Sequence, residues 1–156
     1  MPEIVQKWAG ASAVATRLGT ELHSYAERVL NSKKRLPPSQ CIIKEAEQFN
    51  EFLLSAFIKE HNLAIFRTEL IVWFKVNDVI VSAGQIDAVF KGSAGYYIFD
   101  WKRVNPKKDV AKFARAFQDR HGYGPAENVP DTNHHRYSLQ SVSYTHLRAH
   151  ETVLDL

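Results

Sequence analysis

The chain has 156 residues, of which 45% are hydrophobic and 24% charged, with a formal net charge of +3. Those values fit one globular domain with a real core and exclude overall disorder. The single cysteine, Cys41, excludes an intrachain disulfide framework and a four-cysteine metal or iron–sulfur site, and no apolar run approaches the roughly 20 residues that span a bilayer.

In chain order, residues 3–31 read as helical, with Leu18, Leu22, Tyr25, Ala26, Val29 and Leu30 at helical spacing. Gly19-Thr20 is expected to split this stretch in two, with Thr20 capping the second helix. NSKKRLPPSQ (31–40) is a loop, and 41–61 is one amphipathic helix with Ile42, Ala46, Phe49, Leu53, Ala56 and Phe57 on its stripe. The period then drops to two. FRTELIVWFKV (66–76), VIVSAGQIDAVF (79–90) and YYIFDWKR (96–103) are three strands separated by Asn77-Asp78 and by GSAG (92–95). A basic helix follows from Pro106 to about Ala116, then a Gly- and Pro-punctuated loop (121–136). A last helix is expected to start after Asp131 or Asn133. The predicted class is α+β: an antiparallel three-stranded meander flanked by helices.

Charge is unevenly placed. Between Lys102 and Arg120 the net charge is +5, more than the surplus of the whole chain. Taken alone, that is a solvated helix face. Beside acidic chemistry it suits a polyanion.

The informative step is the register of the second hairpin. With GSAG as a four-residue loop, Lys91 faces Tyr96, Val89 faces Ile98, Asp87 faces Asp100 and Gln85 faces Lys102. The opposite face holds Ile86, Ala88, Phe90, Tyr97, Phe99 and Trp101, all apolar or aromatic. Two carboxylates directly opposite each other lie roughly 4.5–5.5 Å apart at Cβ, and like charges there destabilise a sheet. Protonating one relieves this, as does a shared divalent cation, for which oxygen ligands favour Mg²⁺, Mn²⁺ or Ca²⁺. A one-residue slip would instead send them to opposite faces. Lys102, two residues after Asp100, points the same way, where an ammonium suits a phosphate and an attacking water.

GTELHSYAE (19–27), RTELIVW (67–73), AGQIDAVF (83–90), YYIFDWKR (96–103) and YSLQ (137–140), in that order, resemble the PD-(D/E)XK phosphodiesterase superfamily and within it the RecB-like nucleases. NVPDTNHHRYSLQ (128–140) is similar to viral and eukaryotic members. The resemblance spans about residues 19–140. It implies a restriction-endonuclease-like core with Asp87 and Asp100 as metal ligands, joined by the His23 imidazole and the Trp101 carbonyl. Lys102 would orient the water or stabilise charge on phosphorus, Glu69 would be a helper carboxylate, and Gln140 on the last helix would contact substrate or support the site. The implied cofactor is Mg²⁺ or Mn²⁺. The implied activity is hydrolysis of DNA, exonuclease-like, as in DNA repair, with Arg103, Lys107, Lys108, Lys112 and Arg115 tracking the phosphate backbone.

Tyr144 completes the family's glutamine-to-tyrosine spacing after Gln140. The tail from about residue 141 nevertheless resembles a string that recurs on unrelated translated assemblies. A domain of 1–140 with an incomplete last helix, followed by a non-native tail at 141–156, is therefore expected. His134-His135, and His146 with His150, carry no functional weight on this reading. Glu3 and the absence of a long apolar stretch nearby give no signal-peptide pattern. An intracellular setting is expected (cytoplasmic, nuclear or viral), with no membrane partner and with a helicase or other domain as a partner in a full-length protein. Two rival readings stay open: a non-catalytic nucleic-acid-binding domain of the same fold, or an inactive fragment of a larger nuclease.

Overall fold

The computed structural model describes residues 2–103 and 120–151. The expected basic helix at 106–116, and with it Lys107, Lys108, Lys112 and Arg115, lies outside the described residues. The chain is α+β with an antiparallel sheet. In chain order come α1 (Pro2–Ser32), α2 (Ile43–Leu53), α3 (Ala56–Glu60), β1 (Ala64–Val76), β2 (Val79–Gly92), β3 (Gly95–Phe99) and α4 (Asn133–Glu151), with the described strands ordered β1-β2-β3. The chain forms two compact units. Met1–Leu70 with Gln85–Arg103 makes the first, and Ile71–Gly84 with Val104–Leu156 the second.

Helix α1 is continuous, so the expected break at Gly19-Thr20 is corrected. A mid-helix glycine costs about 0.5–1 kcal/mol relative to alanine, which weakens a helix without ending it. Thr20 does not cap. Its hydroxyl donates back to the Thr16 carbonyl (3.2 Å), four residues earlier, and so is satisfied inside the helix. The 41–61 helix is also corrected, into a short 3-10 turn (Gln40–Ile42), α2 and α3. Ser55 makes the break: its extended backbone and its hydroxyl, which accepts the Ile58 N–H, restart the helix at Ala56.

In the first unit, Tyr25, Ala26, Val29 and Leu30 of α1 pack with Ile42, Ala46 and Phe49 and with Ala88 and Phe90 of β2. Phe99 and Trp101 stack nearly parallel (5.9 Å, 7°), and Phe49 meets Trp101 edge-on at 5.0 Å. The aromatic face predicted for the second hairpin is thus the face that covers the helices.

The register of β2 and β3 agrees with expectation: Ala88 pairs with Phe99, Val89 with Ile98 and Lys91 with Tyr96. The loop is shorter than expected, because Gly92 and Gly95 pair and only Ser93-Ala94 turn. Gly92 has a steric reason: a Cβ there would sit 2.5 Å from the Leu63 side chain and 2.7 Å from the His61 carbonyl. The β1–β2 turn puts Asn77 and Asp78 both at positive φ (50° and 64°), the type I′ geometry that matches strand twist.

Strand β1 carries the main irregularity. Ile65 packs on the core, so Phe66 points to the other face, where its ring meets Tyr96 at 5.1 Å. Tyr96 shares that face with Lys91 and, by alternation along β2, with Asp87 and Gln85. Glu69, three residues after Phe66, accepts a hydrogen bond from Gln85 and therefore lies on that same face. A regular strand would send it to the opposite side. Glu69 has φ = 49°, a left-handed conformation that absorbs the extra residue as a bulge.

In the second unit, Thr132 caps α4. Its hydroxyl accepts the His135 N–H (3.1 Å) and lies 2.7 Å from His135 Nδ1, while Asp131 takes a two-pronged pair from Arg136. Helix α4 thus begins where the sequence indicated.

Gly19 has helical φ, and a Cβ there would meet nothing within 4 Å. Gly19→Ala should therefore stabilise the protein by about 0.5–1 kcal/mol, read as a higher urea midpoint at unchanged slope. A lower midpoint would contradict the uninterrupted helix.

Candidate metal centre

Three elements of the first unit converge. Helix α1 delivers His23 one turn before its core residue Ala26 and nearly two before Val29. Strand β2 delivers Asp87, buried on the face opposite its fully buried neighbours Ile86 and Ala88. The bulge in β1 delivers Glu69. One ligand atom from each of His23, Glu69 and Asp87 lies within 4.8 Å of the others, and this is the group of its kind among the described residues.

The chain just past β3 completes the site. The Trp101 N–H donates to Asp87 Oδ2 at 2.6 Å, and the Trp101 carbonyl accepts from His23 Nε2 at 2.7 Å. His23 Nδ1 stands 3.3 Å from Asp87 Oδ1. The Trp101 indole is locked among Phe49, Phe52 and Phe99, so its peptide is held still while both polar groups face the cluster. Ligands at neighbouring positions around one octahedral ion stand roughly 3 Å apart for metal–ligand bonds of about 2.1 Å. Imidazole and two carboxylates are a donor set that suits Mg²⁺ or Mn²⁺ better than a thiophilic metal.

Charge is unbalanced in a telling way. The hydrogen bond to Asp87 raises the His23 pKa above its ordinary 6.5; burial opposes this, and the charges of Asp87 and Glu69 and the Trp101 carbonyl reinforce it. Both ring nitrogens face acceptors, so the protonated ring satisfies both. Burial raises the Glu69 pKa, with the Asp87 and Glu27 carboxylates adding to it and His23 opposing. Removing solvent from a second carboxylate beside the first disfavours its ionised form, which a proton or a cation relieves.

The remaining site residues fall as follows. Asp100 lies one residue beyond the end of β3, so it has no ladder partner, although the register extended by one step would set it opposite Asp87. Its two oxygens lie 2.9 and 2.6 Å from Lys102 Nζ. Asp100 thus pairs with Lys102, and it is not one of the three clustered residues. Arg103, expected on the phosphate backbone, is held by Glu45 of α2 at 2.7 Å. Gln140 and Tyr144 lie in the second unit, where Gln140 donates to the Tyr144 hydroxyl (2.7 Å) and the Tyr144 ring lies against Gly84.

Sequence reasoning left the face of Glu69 open and gave Gln85 no role. The Gln85 side chain donates to Glu69 Oε2 at 2.6 Å and fixes that carboxylate. Asn31, in the last turn of α1, exchanges hydrogen bonds with Thr68 (3.0 and 3.2 Å) and anchors the residue before the bulge. The available signal was the placement of Gln85 on the polar face. The bulge has no sequence signal, because no glycine marks it.

Comparison of the chain with family models, curated proteins and solved structures finds no match. The resemblance to RecB-like nucleases rests on the quoted motifs.

In metal-free protein the His23 imidazole should titrate above 6.5, and Asp87→Asn should bring it back toward that value, as followed by NMR of the ring protons. The sign for stability follows from the raised folded-state value. The His23 contribution is complete below pH 6.5 and disappears as pH rises through the folded-state pKa. A His23 titration unchanged by Asp87→Asn would contradict the pairing.

Proposed function

We propose that this protein is a Mg²⁺- or Mn²⁺-dependent phosphodiesterase that hydrolyses DNA, with a restriction-endonuclease-like core. The observation that carries the reading is the approach of His23, Glu69 and Asp87 to within 4.8 Å, with the Trp101 carbonyl against the same imidazole. The ordered motifs support it independently. His23, Asp87 and Glu69 would hold the ion, with the Trp101 carbonyl orienting the ring by accepting from the imidazole's Nε2. When bound, the ion supplies a water of lowered pKa and neutralises phosphate charge.

The chain's own residues do the rest. Asp87, fixed by the Trp101 N–H, keeps one oxygen turned toward His23 and the cluster. Glu69 stands beside Asp87 and His23 as a helper carboxylate for the ion or its water. Gln85 holds that carboxylate in one orientation. Lys102, positioned by Asp100, offers an ammonium to the charge that builds on the non-bridging phosphate oxygens. Asp100, a ligand on the resemblance, also positions the Lys102 ammonium. No helix among the described residues is long and apolar enough to cross a membrane.

The test is cleavage of linear single- and double-stranded DNA with Mn²⁺. Wild-type protein should degrade at least one of them and stop on chelation. Asp87→Asn should lose about a thousand-fold in rate, equivalent to several kcal/mol of transition-state stabilisation. Inactivity of the wild type on both substrates, or equal rates for the two proteins, would overturn the reading.

A further inference from the structure

Residues 100–103 run on from β3 in no helix or strand, so ladder hydrogen bonds of the described sheet do not fix the Lys102 backbone. The residue before it, Trp101, is docked on α2, its indole meeting Phe49 at 5.0 Å and Phe52 at 5.6 Å. The residue after it, Arg103, is docked on the same helix, its Nε donating to Glu45 Oε1 at 2.7 Å. Glu45, Phe49 and Phe52 stand at i, i+4 and i+7, on one stripe of α2. Asp100 and Lys102 reach each other instead, with Lys102 Nζ 2.9 Å from Oδ1 and 2.6 Å from Oδ2. The chain therefore alternates: Trp101 and Arg103 turn to the helix, while Asp100 and Lys102 turn away from it.

The two anchors differ in kind. Trp101 is held by ring packing and by the bonds of its N–H to Asp87 and its carbonyl to His23. Arg103 is held by an ion pair. Such a pair in open solvent contributes little. Here the Arg103 and Glu45 side chains are only 29% and 22% exposed, so solvent screens their attraction less. Glu45 also lies in the first turn of α2, where the helix dipole favours a carboxylate. A guanidinium committed to that carboxylate is a tether within the protein rather than a clamp on phosphate.

We propose that Glu45 and Arg103 are positioning residues for Lys102: by tying the chain one residue past Lys102 to α2, they hold its ammonium away from the helix and beside Asp100. The inference rests on the phosphodiesterase reading for what that ammonium does, and it moves Arg103 from the phosphate backbone to the protein's own framework.

Two readouts separate the tether from the chemistry. The first is the backbone order parameter from ¹⁵N relaxation of metal-free protein. The Lys102 and Arg103 amides of wild type should be as rigid as that of Trp101, at about 0.85, and Glu45→Ala should lower them toward about 0.6 while Trp101 stays high. The second is Mn²⁺-dependent cleavage of DNA. Glu45→Ala should lower kcat about 10- to 100-fold at unchanged KM, since misplacement by about 1 Å costs on the order of 100-fold. Arg103→Ala should match it, and the double variant should be no slower than either single one, because each removes the same pair. Urea denaturation of the same samples shows that each is folded.

The tether is overturned if a folded Glu45→Ala variant keeps wild-type order parameters at Lys102 and Arg103, or if Trp101 loosens equally. It is also overturned if the loss falls on KM rather than kcat, or if the double variant loses the product of the two single losses. Loosened Lys102 and Arg103 amides together with no cleavage by wild type would uphold the tether and sink the hydrolase. Cleavage by wild type with unmoved order parameters in the variant would do the reverse.

Discussion

One imidazole joins the two halves of the first unit's site. His23 projects from a long helix and meets both the carbonyl of Trp101 and the carboxylate of Asp87, while the Trp101 N–H holds the other Asp87 oxygen. This three-cornered contact fixes the end of β3 against β2 beyond the last ladder pair, and it fixes α1 over both. Its polar side is possible only because its apolar side is rigid: the Trp101 indole is stacked on Phe99 and wedged against Phe49. A residue anchored that way presents its N–H to Asp87 and its C=O to His23 without moving. That is how a core residue shapes a polar cluster it does not itself enter with its side chain.

The bulge at Glu69 is the second constraint. A non-glycine residue at positive φ inside a strand carries a conformational cost, of order 1–3 kcal/mol where the conformation is sparsely populated. Two contacts hold it. Gln85 ties the carboxylate, and Asn31 ties Thr68 from the end of α1. Burial of Glu69 beside Asp87 then raises its pKa. The outcome is a carboxylate moved from the face where alternation would put it to the face where a cation or a water could use it. β1 departs from regularity where Glu69 joins His23 and Asp87.

The legibility of this arrangement in the sequence follows the range of the forces involved. The register of β2 and β3 could be read because alternation has a period of two, and any slip would have put Phe90, Tyr97 and Phe99 into solvent. Asp87 and the inward Trp101 side chain were readable for the same reason. The expected Asp87–Asp100 opposition continues that register by one step, just past the last ladder pair, and Asp100 there also binds Lys102. Gly19-Thr20 looked like a helix boundary because local propensity favours one, yet the Thr20 hydroxyl found its partner within the helix. Ser55 divided the second helix by the opposite choice, bonding to the backbone ahead of it. The position of Glu69 depends on Gln85, sixteen residues away, and on Asn31, whose partner is thirty-seven away. No local pattern encodes such a pair.

The central claim is that these side chains share one divalent ion, and the most direct measurement is the anomalous scattering of Mn²⁺ in a crystal soaked with it. The account predicts a peak bonded to His23 and Asp87, with Glu69 bonded directly or through water. A fully soaked crystal with no peak among those groups, or with the ion held only elsewhere, would contradict it.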